Sequence, residues 1–112
     1  MEEIVVLVTV SSEGEASSLA RILVENGLAA CVNIIPGVRS IFKWDGKISE
    51  EQEFLLLAKT GRQSFDQLVS MVKANHSYTV PEIIALPIQL GSEEYLAWIR
   101  DTTKSRVGIA ED

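Results

Sequence analysis

Cys31 and His76, the only cysteine and the only histidine of the 112-residue sequence, are its strongest candidate metal ligands. A thiolate suits Cu(I), and a neutral imidazole suits copper and other transition metals. One cysteine and one histidine cannot complete a four-ligand site within one chain, so a site that uses them would be open and shared between subunits. Structural roles are the alternative, because a free cysteine often packs as a small hydrophobic residue and a histidine after a helix end interacts well with the helix dipole.

A second group of side chains could line one ligand-binding cleft: Trp44, Glu53, Lys59, Tyr78 and Glu82. A lysine and a tyrosine beside a histidine would suit a small anionic ligand. The two glutamates could instead add oxygen ligands to a metal site, although carboxylates are poor ligands for Cu(I). Two of the five have a simpler alternative, because Lys59 can end a strand in solvent and Trp44 can pack against a neighbouring surface.

The charge and the motif content argue against several classes of function. The formal net charge is −6 and the isoelectric point is about 4.7, whereas binding to nucleic acid or to an anionic membrane needs a basic surface. An acidic surface keeps a protein soluble and mildly favours cations. The sequence contains no glycine-rich phosphate loop, nucleophile elbow, HExxH or CxxC motif, so we expect a binding protein and not an enzyme.

Strand and helix patterns alternate along the chain and must position these residues. Continuous β-branched runs predict buried strands, and apolar residues at i, i+3, i+4 and i+7 predict helices that turn one stripe towards a core. Ser12 and Glu15 have the spacing of a capping box, and Asp45-Gly46 is typical of a hairpin turn. The predicted strands are Ile4–Val8, Ala30–Phe42, Ile48–Thr60 and Ile83–Leu90, and the predicted helices are Ser12–Asn26, about Arg62–Ala74 and a last one after Ser92.

The order of these elements predicts an α+β fold of the ferredoxin-like type. Two βαβ units joined by a hairpin specify a βαββαβ sandwich, here with an extended hairpin and a C-terminal helix. The length suits a single domain over residues 1–112. One cysteine is compatible with a reducing compartment, and the apolar run at Ile4–Val8 is too short for a secretion signal or a membrane span. We therefore expect a cytoplasmic protein.

The long hairpin also predicts self-association. An open four-stranded sheet leaves two edges with unpaired N–H and C=O groups, and proteins cover such edges. The first arm of the hairpin is apolar at more positions than two short helices can cover, so an adjacent copy is expected to bury them. These positions are Ile34, Ile35, Val38, Ile41 and Phe42.

Three segments resemble the CutA divalent-ion tolerance family in order and spacing: LAACVNIIPG at Leu28–Gly37, SIFKWDGKI at Ser40–Ile48 and HSYTVPEIIALPI at His76–Ile88. The resemblance extends from Ile4 to about Arg100. It implies a ferredoxin-like protomer, a tight homotrimer similar to the PII signalling proteins, and an association with tolerance of divalent metals, copper especially. By this resemblance the loop that carries His76 faces a cleft between subunits.

Three positions depart from the pattern of the family. Ser77 stands where proline usually follows the loop histidine, so the backbone of this loop is less restricted. Some members implicated in copper binding carry a second cysteine in the first strand and a second histidine beside the first, and this chain has Val8 and Asn75 there. We therefore expect at most weak Cu(II) binding through His76.

The combined expectation is a cytoplasmic, homotrimeric divalent-metal (copper) tolerance protein with sites at intersubunit clefts. Cys31 and His76 would be its metal ligands, the bound metal would be copper or another divalent ion, and folding would require no cofactor. The alternative is a PII-like regulatory module that binds a small anion in the same cleft through Lys59 and Tyr78. Neither function involves nucleic acid or a membrane.

Overall fold

The computed structural model describes residues 2–111, with side chains described for residues 2–103. This part of the chain contains four strands and three α-helices. The predicted α+β class is confirmed. Strand β4 is shorter than predicted and ends at Pro87, although the N–H of Ile88 still donates to the carbonyl of Glu3 on β1 at 3.0 Å. Proline is tolerated here because β4 is an edge strand. The elements are β1 (Glu3–Val10), α1 (Glu13–Glu25), β2 (Cys31–Trp44), β3 (Lys47–Gly61), a 3₁₀ turn (Arg62–Ser64), α2 (Phe65–Ala74), β4 (Ile83–Pro87) and α3 (Glu93–Glu111).

The four strands form one antiparallel sheet in the order β2-β3-β1-β4. Apart from the 3₁₀ turn, the elements from β1 to β4 therefore follow the βαββαβ order of the ferredoxin-like arrangement. Strands β1 and β3 lie in the centre, and their register places Val6 opposite Ala58 and Val8 opposite Leu56. Strands β2 and β4 are the two edges of the sheet.

The core lies between one face of the sheet and helices α1 and α2. Side chains alternate between the two faces of a strand, so the even-numbered residues of β1 and the central part of β3 point towards these helices. The helices contribute stripes at the predicted helical spacing. The fully or nearly fully buried residues of this core include Val6, Val8, Leu56 and Ala58 from the strands, Ala16, Leu19 and Leu23 from α1, and Leu68 and Val72 from α2.

The opposite face of the sheet carries α3. Ile99 of this helix is buried, and Arg100 contacts the buried carboxylate of Glu3 at 3.3 Å. The face is only partly covered, since Leu7, Leu55 and Leu57 remain half-buried. No helix in the described part of the chain is both long and apolar enough to span a membrane.

The β2–β3 hairpin is long and bends near its middle. Asp45 and Gly46 both have positive φ, at 54° and 74°, as a type I′ turn requires. The pairing shifts between Ile35 and Val38, and Gly37 adopts a φ of 77° at this bulge. A bulge bends a strand and increases its twist, so the outer half of the hairpin leaves the plane of the sheet.

Candidate functional site

A cleft of about 890 Å³ lies between the outer half of the hairpin and the loop that joins α2 to β4. We refer to it as the hairpin–loop cleft. Four of the five predicted cleft residues line it, namely Trp44, Glu53, Tyr78 and Glu82. These four residues belong to one chain, so the hairpin–loop cleft does not need a second subunit to form. Its lining consists of Ser40–Trp44, Ser77–Glu82, Thr9 and Glu53.

A buried carboxylate and a phenol form the polar centre of the cleft. Glu53 is only 5% exposed, and its Oε2 accepts a hydrogen bond of 2.7 Å from the hydroxyl of Tyr78. Burial raises the pKa of Tyr78 to about 12, and the hydrogen bond to Glu53 and the charges of Glu53, Glu51 and Glu15 act in the same direction. Tyr78 is therefore a protonated donor at neutral pH.

His76 lies beneath the same loop, and its side chain is fully buried. The backbone N–H of Tyr78 donates to Nδ1 at 3.0 Å, so Nε2 carries the ring proton and donates to the carbonyl of Thr9 at 2.7 Å. The ring also contacts that of Tyr78, with centroids 4.9 Å apart. Both ring nitrogens are thus occupied, and a metal ion would have to replace one of these two bonds.

Glu15 ties this loop to helix α1. Ser12 caps the helix as predicted, because its hydroxyl accepts from the N–H of Glu15 at 3.1 Å. The carboxylate of Glu15 does not return to Ser12, and instead accepts from the N–H and the hydroxyl of Ser77 at 2.8 and 3.1 Å. Proline at position 77 could donate neither bond, so Ser77 gives the loop a tether of its own in place of a rigid backbone.

We expect Glu15→Gln to lower the free energy of unfolding by about 1 kcal/mol or more at pH 7, since hydrogen bonds to a charged acceptor are strong. Burial raises the pKa of Glu15, but the bonds from Ser77, the electrostatic interaction with His76 at 3.5 Å and the N–H of Ser11 together hold it below its ordinary value of 4.5. A depressed folded-state pKa gives a stabilisation that is complete above the unfolded-state pKa and is lost as the pH falls through the folded-state value.

Urea unfolding of both proteins between pH 7 and pH 3 measures this difference. Glu13→Gln is the matched control, because Glu13 lies in the same turn of α1 and is exposed. The tether would be disproved by a stability difference between wild type and Glu15→Gln that stays constant over this pH range.

Cys31 and Lys59 form a separate cluster on the α3 side of the sheet. They are direct partners in the β2–β3 ladder. The amide oxygen of Asn33 accepts a hydrogen bond from the ammonium of Lys59 and another from the thiol of Cys31, at 3.9 Å. Burial raises the pKa of Tyr95, and the neighbouring Cys31 raises it further. Lys59 is not among the residues that line the hairpin–loop cleft. It lies six residues further along β3 than Glu53, a separation on the order of 20 Å.

The two predicted metal ligands do not meet within one chain. Thr9, which binds His76, pairs with Leu55, whereas Cys31 pairs with Lys59 four residues further along β3. At the rise of a strand this is a separation on the order of 13 Å. Among the described residues, no group of three His, Cys, Asp or Glu side chains is arranged to hold a metal ion.

Several contacts of the site gave no signal in the sequence. Glu15 was recognisable as a capping residue, but its bonds to Ser77 join positions 62 residues apart. The carbonyl of Thr9 is a backbone group that any residue could supply. Phe42 was recognisable as apolar, and only the bend of the hairpin brings it to the cleft.

Known proteins with the same fold and a similar sequence identify the family. The family model described as CutA1 divalent ion tolerance protein matches residues 4–102. The divalent-cation tolerance protein CutA of Thermus thermophilus is 57% identical over 103 residues, 92% of this chain and 99% of its own length. A solved structure of the Thermus thermophilus protein matches with a TM-score of 0.89 and 56% identity over 90% of this chain and 98% of that chain.

A plant relative is longer. Protein CutA, chloroplastic, of Arabidopsis thaliana is 46% identical over 102 residues, which are 91% of this chain and 56% of its own length. This chain therefore spans about half the length of the plant protein. The family match covers both edge strands, the hairpin, and every residue of the cleft. By its sequence and its fold, this chain belongs to the CutA1 divalent ion tolerance family.

Proposed function

We propose that this chain acts in divalent-cation tolerance as a cytoplasmic homotrimer that binds ligands and catalyses no reaction. Its metal-binding positions would form where subunits meet, and the hairpin–loop cleft would be a second, ligand-binding site. Family membership supports the role in tolerance. The observation that supports the homotrimer is that both edge strands of the sheet, β2 and β4, are uncovered.

Both edge strands expose apolar side chains. Ile84 and Leu86 of β4 are more than half exposed, and Ile34 and Ile35 of β2 are exposed as well, whereas Phe42 lines the hairpin–loop cleft. An unpaired β edge with apolar side chains invites a partner strand. Two different edges that pair head to tail generate a ring when the rotation closes, which supports a cyclic trimer of identical chains.

Cys31 is the proposed first ligand for copper. It begins β2, the edge strand, and its thiol is half-buried next to the amide oxygen of Asn33. A thiolate favours Cu(I), and a neighbouring subunit could bring a second thiolate or an imidazole to the same edge. His76 would join as a ligand only after its bond to Thr9 or to the N–H of Tyr78 is released.

The charge of the chain and its free thiol support the remaining parts of the proposal. A net charge of −6 disfavours nucleic acid and anionic membranes as partners. Cys31 is a free cysteine, which suits a reducing compartment such as the cytoplasm. The name of the plant relative places that protein in the chloroplast, so a test of location by fractionation belongs with the test of function.

The alternative, a PII-like module for a small anion, has weaker support. It relied on Lys59, which lies outside the hairpin–loop cleft and donates to Asn33. The charged residues that line the cleft are Lys43, Glu53 and Glu82, which gives an excess of negative charge. An anion would meet repulsion there.

Copper titration of the purified trimer tests the metal proposal. We expect Cu(I), measured by competition with a chelator, to bind the wild type at least tenfold more tightly than Cys31→Ser, because the hydroxyl is a much poorer soft ligand. Cu(II), measured by calorimetry, is expected to bind only weakly and to lose this binding in His76→Ala. Sub-micromolar Cu(II) binding that survives both substitutions would contradict the assignment of these ligands.

A further inference from the structure

The hairpin–loop cleft has aromatic and apolar walls as well as carboxylates. Phe42 and Trp44 come from the hairpin, Tyr78 and Val80 from the loop, and Trp44 is 56% exposed to solvent. A volume of about 890 Å³ lies within the range of small-molecule sites. Such a combination of rings and a few polar groups is typical of a site for an organic ligand, since aromatic faces bind apolar bodies and cations alike.

The carboxylate of Glu53 gives the cleft its chemical preference. Tyr78 donates to Oε2, and it is the one donor to this carboxylate among the described side chains, so Oε1 remains available to a ligand. Since Glu53 is almost fully buried, its negative charge is poorly solvated and favours a positively charged partner. Glu82 adds a second carboxylate to the lining, against the single ammonium of Lys43.

These features distinguish between classes of cation. A hard metal ion such as Mg²⁺ or Ca²⁺ needs about six oxygen ligands, whereas the cleft offers two carboxylates beside aromatic and apolar side chains. An organic ammonium ion uses both kinds of surface, because its N–H groups donate to carboxylates and its body packs on aromatic rings.

We propose that the hairpin–loop cleft binds a protonated organic amine, with the ammonium group on Oε1 of Glu53 and the apolar body against Trp44 and Phe42. The inference rests on the proposed use of this cleft as a ligand site, and it names the class of ligand. It is independent of copper binding at Cys31, which pairs with Lys59, six residues along β3 from Glu53.

Three probes of one shape test the charge that the cleft selects: 2-phenylethylammonium, neutral 2-phenylethanol and anionic phenylacetate. Two-dimensional NMR of the ¹⁵N-labelled protein reports the indole N–H of each tryptophan. Trp44 lines the cleft, whereas Trp98 lies on α3 against Tyr95 and serves as an internal control. We expect the amine to shift the Trp44 signal in a saturable manner, at least tenfold more tightly than the alcohol, and to leave the Trp98 signal unchanged.

Glu53→Gln removes the charge and keeps an acceptor for Tyr78, so it should reduce the affinity for the amine at least tenfold and bring it close to that of the alcohol. Glu93→Gln removes an exposed carboxylate on α3 and should change nothing. Equal binding of amine and alcohol, or tighter binding of phenylacetate, would overturn the amine class while leaving the cleft a ligand site. If no probe shifts the Trp44 signal, both the amine class and the use of the cleft as a ligand site are overturned. Copper binding at Cys31 is measured by its own titration and is not affected by this result.

Discussion

Sedimentation equilibrium of the wild-type protein is expected to give a mass three times 12.3 kDa, and Leu86→Lys is expected to reduce it to the mass of one chain. Leu86 is exposed on β4, an edge strand whose outer side has no partner strand among the described residues. In the trimer its side chain would be buried against a neighbour. A lysine there would have to bury a charge without a partner, which costs several kcal/mol and blocks strand pairing.

The control for this change is Val24→Lys. Val24 is an exposed apolar residue of α1 and belongs to neither edge strand, so a charge there should leave the mass of the assembly unchanged. A folded wild-type monomer at low micromolar concentration would refute the trimer, and with it the intersubunit metal site. The hairpin–loop cleft would survive that result, because it forms within one chain.

Leu56→Ala is expected to lower the free energy of unfolding by about 2–5 kcal/mol. Leu56 is fully buried in the centre of β3, opposite Val8 and beneath helices α1 and α2. Truncation of its side chain deletes apolar contacts and leaves a cavity. Strand β3 is hydrogen-bonded to a strand on each side, so it cannot move to close this cavity. Chemical denaturation at a fixed protein concentration measures the loss, since the stability of an oligomer depends on that concentration.

Val24→Ala gives the comparison for this substitution. It also shortens an apolar side chain to alanine, but at an exposed helix position where the change should stay within about 0.5 kcal/mol. A similar loss for the two variants would show that Leu56 does not anchor the core. Comparable slopes in denaturant would confirm that both variants unfold from the same compact state.

Local patterns in the sequence predicted most of the secondary structure and part of the site. Apolar spacing identified α1 and α2, because a helix must turn one stripe towards the core. Asp45-Gly46 identified the hairpin, because few residues adopt a positive φ at both positions of its turn. The residue types at Glu53 and Tyr78 identified members of a cleft, although not the hydrogen bond between them.

Partners distant in the chain were decided by the tertiary structure alone. Leu55, Leu56 and Leu57 are identical in type, and only the register with β1 determines that Leu56 enters the core while its neighbours face α3. In the same way, register with β2 placed Lys59 beside Cys31, six residues along β3 from Glu53, the partner of Tyr78. A one-residue change of register would exchange these faces, and residue type does not encode it.

The tautomer of His76 was likewise decided by the tertiary structure. Its residue type allows a metal ligand, a cation or a neutral hydrogen-bonding group, and the sequence by itself determined only that one such group follows α2. The folded chain brings the carbonyl of Thr9 to one ring nitrogen and the N–H of Tyr78 to the other, which selects a single neutral tautomer. Local sequence thus determined which elements form and which groups they carry. Long-range packing decided which of those groups meet, because hydrogen bonds and burial depend on distance in space and not on separation along the chain.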